Sequence, residues 1–326
     1  MKEVVIVGAG TMGCGIAAFF AKGGCRVSVH DSARDARAAA KDHVARILRG
    51  LARTGVLPES EVELSLERVH ISEDLQVVPE ATLVIESIPE NLEWKRALFA
   101  QLDRVAPPET VLATNTSSFS PAAVSEGVAH PERVLAAHFY YPAELMPLVE
   151  MVAGPRTAKW ALDDTARFMT ELGKSVVVCR DSPGYIGSRI QMAMILEAIT
   201  ILEEGTASAT DIDNAVRMSF GPRLAIMGPL ETVDRAGLDV YLKASQTYYQ
   251  AFGRDTFRPP RLLEEKVARG ELGSKSGFGL HGVTTGLDQV NRYDQLASLL
   301  KHMGLVMQVD AGAATDGSSE CANLRD

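Results

Sequence analysis

The chain has 326 residues, more than one ordinary domain needs, and its 46% hydrophobic and 23% charged side chains are the composition of a folded protein rather than a disordered one. With 42 acidic against 33 basic residues the net charge is −9, which excludes sequence-independent binding to nucleic acid or an anionic membrane and leaves room only for a local basic phosphate site. No apolar run reaches the ~20 residues that span a bilayer and no secretory signal is read, while four scattered cysteines (Cys14, Cys25, Cys179, Cys321) without a C-x-x-C pair argue against disulfides and structural zinc and for a reducing cytoplasm.

Residues 4–7 read as a buried strand, 13–22 as a helix, 26–30 as a second strand and the Ala/Arg-rich stretch 33–54 as a long helix. Further strands are expected at 82–86, 111–114, 134–138, 149–152 and 175–179, with helical stretches between several of them. Such interleaving predicts an α/β domain with a mostly parallel sheet. The texture changes at Asp181-Ser182-Pro183-Gly184. Residues 185–205, 210–219, 229–252, 260–270 and 286–303 then carry helical spacing with almost no strand signal. The expected domains are therefore 1–182 (α/β), 183–282 (all-α) and 283–326 (a helix and a flexible, frayed tail).

The strongest motif is Gly8-Ala9-Gly10-Thr11-Met12-Gly13, between the first strand and the first helix. Gly8 permits a tight turn, Gly10 lets the backbone approach a pyrophosphate, and Gly13 lets helix and strand pack closely. Thr11 and Met12 open the helix, whose free N–H groups and positive dipole face the phosphates. Asp31 ends the second strand, 18 positions after Gly13, where a carboxylate takes both ribose hydroxyls of an adenosine and repels a 2′-phosphate. The expected cofactor is NAD rather than NADP.

Two later segments lie at predicted strand ends, where ligands bind in parallel α/β sheets. One is Asn115-Thr116-Ser117-Ser118, which reads either as a cofactor-facing loop or as a helix cap. The other is His138-Phe139-Tyr140-Tyr141-Pro142, with Glu150 in Leu148-Val149-Glu150-Met151. A histidine with a carboxylate partner moves protons near neutral pH, because the acid orients the ring and stabilises the imidazolium. The remaining histidines read as structural or exposed. No pair has metal-ligand spacing, so no metal is expected.

Four more segments follow the same order: Ile85-Glu86-Ser87-Ile88-Pro89-Glu90-Asn91-Leu92, Asp181-Ser182-Pro183-Gly184-Tyr185-Ile186, Met227-Gly228-Pro229-Leu230-Glu231 and Gly273-Ser274-Lys275-Ser276-Gly277. With the motifs above, they make about residues 3–282 resemble the 3-hydroxyacyl-CoA dehydrogenase family. The resemblance implies a Rossmann-like NAD-binding domain, an all-α domain that closes the cleft and forms a homodimer, and oxidation of a short 3-hydroxyacyl-CoA of 3-hydroxybutyryl-CoA type. It implies that His138 is the general base and Glu150 its orienting partner, and that Ser117 hydrogen-bonds the reacting oxygen. Glu90, Lys95, Ser117 and Lys275 would contact NAD.

Three departures stand out. Tyr141 replaces an Asn of the family's His-Phe-Phe-Asn-Pro motif, on the nicotinamide side. Ser188 replaces the Asn that precedes Arg189. The helix that binds CoA through lysines carries Arg46, Arg49 and Arg53 after Lys41, so Arg49 and Arg53 read either as phosphate ligands or as a solvated face. The segment Gly221-Pro222-Arg223-Leu224-Ala225 resembles instead the carnitine and gulonate dehydrogenase branch, with Arg223 either binding a free carboxylate or bridging domains. Three readings stand: a 3-hydroxyacyl-CoA dehydrogenase, a dehydrogenase of a small hydroxy acid, and an NAD(H)-binding sensor or structural protein of weak activity.

Overall fold

The computed structural model describes residues 2–284 and 289–305. The chain forms two compact units that divide between Leu196 and Glu197. The expected strand-and-helix alternation is found in the first unit. Its elements are β1 (Glu3–Val7), α1 (Thr11–Lys22), β2 (Arg26–His30), α2 (Arg34–Arg53), α3 (Ser60–Glu67), β3 (Val69–Ser72), β4 (Leu83–Glu86), α4 (Leu92–Val105), β5 (Val111–Thr114), α5 (Pro121–Val124), β6 (Val134–Phe139), β7 (Leu148–Ala153), α6 (Lys159–Glu171), β8 (Ser175–Arg180) and the start of α7 (Gly187–Glu203).

The strands form one sheet in the order β3-β2-β1-β4-β5-β6-β7-β8. Pairing is parallel throughout except between β6 and β7. Helices cover both faces. Phe20, Leu48, Val62 and Phe168 belong to one apolar core, and Phe99, Leu102 and Val124 to the other. That double burial is why β1 and β4 are fully buried runs rather than alternating ones. On α2, Ala40, Val44, Leu48 and Leu51 form the buried stripe, and Arg46, Arg49 and Arg53 are exposed. The order of strands reverses between β1 and β4, which opens a crevice beyond their carboxyl ends.

The connection 140–147 between β6 and β7 is held in place from below. The ammonium of buried Lys174 donates to the carbonyls of Ala143 (2.7 Å) and Met146 (2.6 Å) and lies 4.4 Å above the ring of Phe19. Burial, with Lys22 nearby, pushes its pKa down to about 8 against the opposing pull of Glu144.

The second unit holds the rest of α7 followed by α8 (Ala209–Met218), α9 (Phe220–Leu224), α10 (Pro229–Ala236), α11 (Leu238–Phe252), α12 (Arg261–Ala268) and α13 (Gln289–His302). Among its described residues it is helical apart from a minimal hairpin of β9 (Phe278–Gly279) and β10 (Gly282–Val283). The helix expected over 229–252 is two helices. Gly237 breaks it at φ +109°, and a Cβ there would lie 2.4 Å from Lys275 Nζ and 2.5 Å from an Asp239 carboxylate oxygen. Sequence reading also passed over α3 and the short edge strand β3, in which only Val69 is fully buried. The frayed tail expected at 310–326, and 286–288 of the expected last helix, lie outside the described residues.

Candidate active site

The glycine loop joins β1 to α1 at the crevice. Gly8 has φ +112°, and a Cβ on it would sit 2.4 Å from the Ser87 carbonyl oxygen, while one on Gly13 would sit 1.8 Å from that of Gly8. Neither position admits a side chain. A Cβ on Gly10 would meet nothing within 4 Å, because that residue faces open space. No side chain caps the N-terminus of α1, so its first-turn N–H groups are left for a ligand. Loop and helix end thus fit the pyrophosphate of a dinucleotide. Gly10, Thr11 and Met12 line a cleft of about 1460 Å³ that also takes in Asp31, Lys95, Ser117, His138 and Ser188.

Asp31 ties the loop to the start of α2. One carboxylate oxygen accepts the N–H of Ala9 and the other that of Ala33, each at 2.8 Å. Arg37, which sequence reading did not single out, donates to the backbone carbonyls of Asp31 (2.6 Å) and Ser32 (3.0 Å). The carboxylate is fixed with acceptor capacity to spare for the ribose hydroxyls. Asp31→Ala is expected to weaken NADH binding by ~10- to 100-fold, the loss of hydrogen bonds to a charged group, and to narrow the preference over NADPH. Fluorescence titration with both nucleotides checks this, and an unchanged preference contradicts it.

At the end of β4 lies a buried ion pair. Lys95 is 1% and Glu86 0% exposed, and their Nζ–Oε1 distance is 2.6 Å. Glu86 also accepts the Thr114 hydroxyl (2.6 Å) and the Ile88 N–H (2.8 Å), while Lys95 donates to the Ile88 carbonyl (3.2 Å). Glu90 lies 3.5 Å from Lys95, takes the Thr116 hydroxyl on both oxygens (2.8 Å each), and accepts the N–H of Ser117 at 3.3 Å. The ammonium expected to contact NAD is therefore already held by Glu86. Lys95 still lines the cleft, and its bonds tie the 87–90 loop to Glu86 and reach Glu90.

The pair expected to move the proton comes from the one antiparallel step in the sheet. His138 on β6 and Glu150 on β7 stand directly opposite in register. Their side chains meet at 2.9 Å, His138 Nδ1 to Glu150 Oε2, with both residues buried. The same Oε2 accepts the Tyr140 hydroxyl at 2.9 Å. The other oxygen, Oε1, accepts the backbone N–H groups of Ile186 (3.1 Å) and Gly187 (2.9 Å), where α7 begins. Burial alone would raise the Glu150 pKa. The bonds from His138, Gly187, Tyr140 and Ile186 outweigh it and hold the carboxyl below its usual range. Glu150 is thus an anion at neutral pH that accepts the imidazole Nδ1–H, which leaves Nε2 as the ring nitrogen not bonded to it. Tyr140 and Tyr185 wall the ring, with centroids 4.7 and 5.5 Å away. Tyr185 is anchored by a hydroxyl bond to the Phe119 carbonyl (3.1 Å). Behind the ring, Asn115 accepts the Phe139 N–H at 2.8 Å and fixes the strand end.

The other expected residues are more dispersed. Tyr141 lines the cleft and is 69% exposed. Ser188 hydrogen-bonds Tyr140. Arg49 pairs with Glu63 at 3.3 Å on the exposed side of α2, and neither it nor Arg53 lines the cleft. Lys275 and Arg223 belong to the second unit. Lys275 pairs with Asp239 at 2.8 Å, and the buried Nε of Arg223 has no hydrogen-bond partner. Sequence reasoning missed the Glu86 acceptor and the Tyr140 hydroxyl. Both lie within motifs it quoted, and each is a polar group at the carboxyl end of an apolar strand.

The chain is similar to known proteins over most of its length. Residues 3–182 match the 3-hydroxyacyl-CoA dehydrogenase NAD binding domain and residues 184–281 the C-terminal domain of the same enzymes. A probable 3-hydroxybutyryl-CoA dehydrogenase of Deinococcus radiodurans is 38% identical over 280 residues, 85% of this chain and 98% of that protein. The 3-hydroxyadipyl-CoA dehydrogenase of Escherichia coli is 38% identical over 282 residues, which cover 86% of this chain but only 59% of that longer protein. The crystal structure of a 3-hydroxyacyl-CoA dehydrogenase from Archaeoglobus fulgidus superposes with a TM-score of 0.78 at 31% identity, over 94% of this chain and all of that one. The chain therefore belongs to the 3-hydroxyacyl-CoA dehydrogenase family, as an NAD-dependent dehydrogenase whose NAD-binding domain precedes the family's C-terminal domain.

Proposed function

We propose that the protein interconverts a short-chain 3-hydroxyacyl-CoA, of the 3-hydroxybutyryl-CoA type, and its 3-oxoacyl-CoA. The observation that carries this reading is the 2.9 Å His138–Glu150 bond in the same cleft as the glycine loop. Bound NAD supplies the hydride acceptor. His138 Nε2 takes the hydroxyl proton as the C3–H hydride leaves, and Glu150 stabilises the imidazolium. Ser117 hydrogen-bonds the reacting oxygen, and Ser188 and Tyr141 border the substrate end. In reduction the imidazolium returns the proton to the oxygen.

The chain makes a homodimer through its all-α part, residues 183–282, on this reading. Support comes from α7, which buries none of its residues although Ile190, Met192, Ile199 and Leu202 point outward, more than half exposed in three cases and 46% in the fourth. The cytoplasm is the compartment that suits the free thiols of Cys14, Cys25 and Cys179. No described helix is long and apolar enough to cross a membrane.

The test is turnover, followed by NADH absorbance, with NAD and a panel of 3-hydroxybutyryl-CoA, longer 3-hydroxyacyl-CoA esters, carnitine, gulonate and other free hydroxy acids. The expected result is turnover of the CoA esters with preference for the short chain. Turnover of free acids alone would move the substrate to that class. Tight NADH binding without turnover of any compound would make the protein a sensor.

A further inference from the structure

Glu150 receives four donors, and two of them share one oxygen: the imidazole Nδ1–H and the Tyr140 hydroxyl both reach Oε2 at 2.9 Å. Tyr140 stands where the related motif carries Phe, so its hydroxyl is an addition to the pair. The fold makes room for it. A Cβ on Gly187 would lie 2.1 Å from that hydroxyl oxygen, so a residue with a side chain at 187 would displace it. The Tyr140 ring packs on the imidazole at 4.7 Å, and Ser188 bonds the same hydroxyl, so its direction is set from three sides.

We propose that Tyr140 is a positioning residue that weakens the hold of Glu150 on the imidazolium, making His138 a weaker base in oxidation and its conjugate acid a readier proton donor in reduction. The inference rests on the dehydrogenase reading above. A carboxylate oxygen shared between two donors has less charge to offer either, so each added donor lowers its affinity for the other's proton. Burial and then Glu150 push the Tyr140 hydroxyl pKa up to about 12, so it stays a donor throughout the working range. The other titratable groups around the pair are Cys179 on β8 and Tyr185 ahead of α7, with Asp181 and Glu90 acting on Tyr185. None of them bonds Oε2.

The test is Tyr140→Phe, which keeps the ring and removes the hydroxyl. Two quantities are read: the acid limb of kcat/KM for oxidation of 3-hydroxybutyryl-CoA, and the ¹⁵N titration of the His138 ring in the NAD complex, assigned with His138→Gln. Both are expected to move to higher pH by about 0.5 to 1 unit, with NADH affinity unchanged. Fluorotyrosine at 140, a stronger donor, moves both to lower pH and serves if the Phe variant does not fold. Unmoved limbs and ring signals in both variants overturn the proposal. So does a shift seen only in Tyr140→Leu, which would assign the effect to ring packing. A ring titration that moves in a protein turning over no hydroxyacyl-CoA keeps this inference and removes the dehydrogenase reading. Turnover with an unmoved ring does the reverse.

Discussion

Replacing His138 with alanine is expected to lower kcat by ~10² to 10⁴ and to leave NADH affinity nearly unchanged. On the proposed reading the cofactor is held by the 8–13 loop, the free end of α1 and Asp31, and none of them bonds the imidazole. Glu150 is not orphaned by the change, since Tyr140, Ile186 and Gly187 still donate to it. The variant should therefore fold, and its loss should fall on the proton transfer alone. Steady-state rates at saturating NAD, beside fluorescence titration of NADH, separate the two effects. Normal turnover at saturation with weakened cofactor binding would move His138 from proton transfer to cofactor binding.

The second large effect is on stability. Lys95→Met is expected to cost about 3–5 kcal/mol, because it leaves the fully buried Glu86 carboxylate without its counter-charge. Thr114 and the Ile88 N–H still bond that carboxylate, but neither neutralises it. Urea unfolding, read on the transition of the first unit, measures the loss. The double variant Lys95→Met/Glu86→Gln, which removes both charges, should recover part of it. A single variant as stable as the parent would show that the buried pair does not anchor the end of β4. Loosening there should also raise KM for NAD, since Lys95 fixes the Ile88 carbonyl and approaches Glu90, which holds Ser117.

Much of the scaffold is readable in the chain itself. The buried strands β1 and β2, the glycine loop between β1 and α1, and Asp31 follow from apolar runs punctuated by residues of special backbone freedom. The meeting of His138 with Glu150 is not readable that way. It requires β7 to run antiparallel to β6, and the 140–147 connection has no short turn signature that announces the reversal. The Lys174 clamp beneath it comes from a residue 31 positions beyond Ala143. The bond of Lys95 to Glu86 is hidden for a related reason. Its partner Glu86 closes an apolar strand, and periodicity cannot tell a buried acid at a strand end from an exposed one. Edge strand β3 is short and only partly buried, which leaves a weak pattern. The break at Gly237 rests on one glycine inside an otherwise helical pattern, and an isolated glycine there permits a break without requiring one.

The most direct test of the account is a crystal structure of the protein with oxidised NAD and a 3-oxoacyl-CoA, a pair that cannot react with each other. The account predicts the ketone oxygen at about 3 Å from His138 Nε2 and near the Ser117 hydroxyl, with nicotinamide C4 facing the carbon that bears that oxygen. An imidazole turned away from the ketone, or a nicotinamide ring lying elsewhere in the cleft, would contradict it.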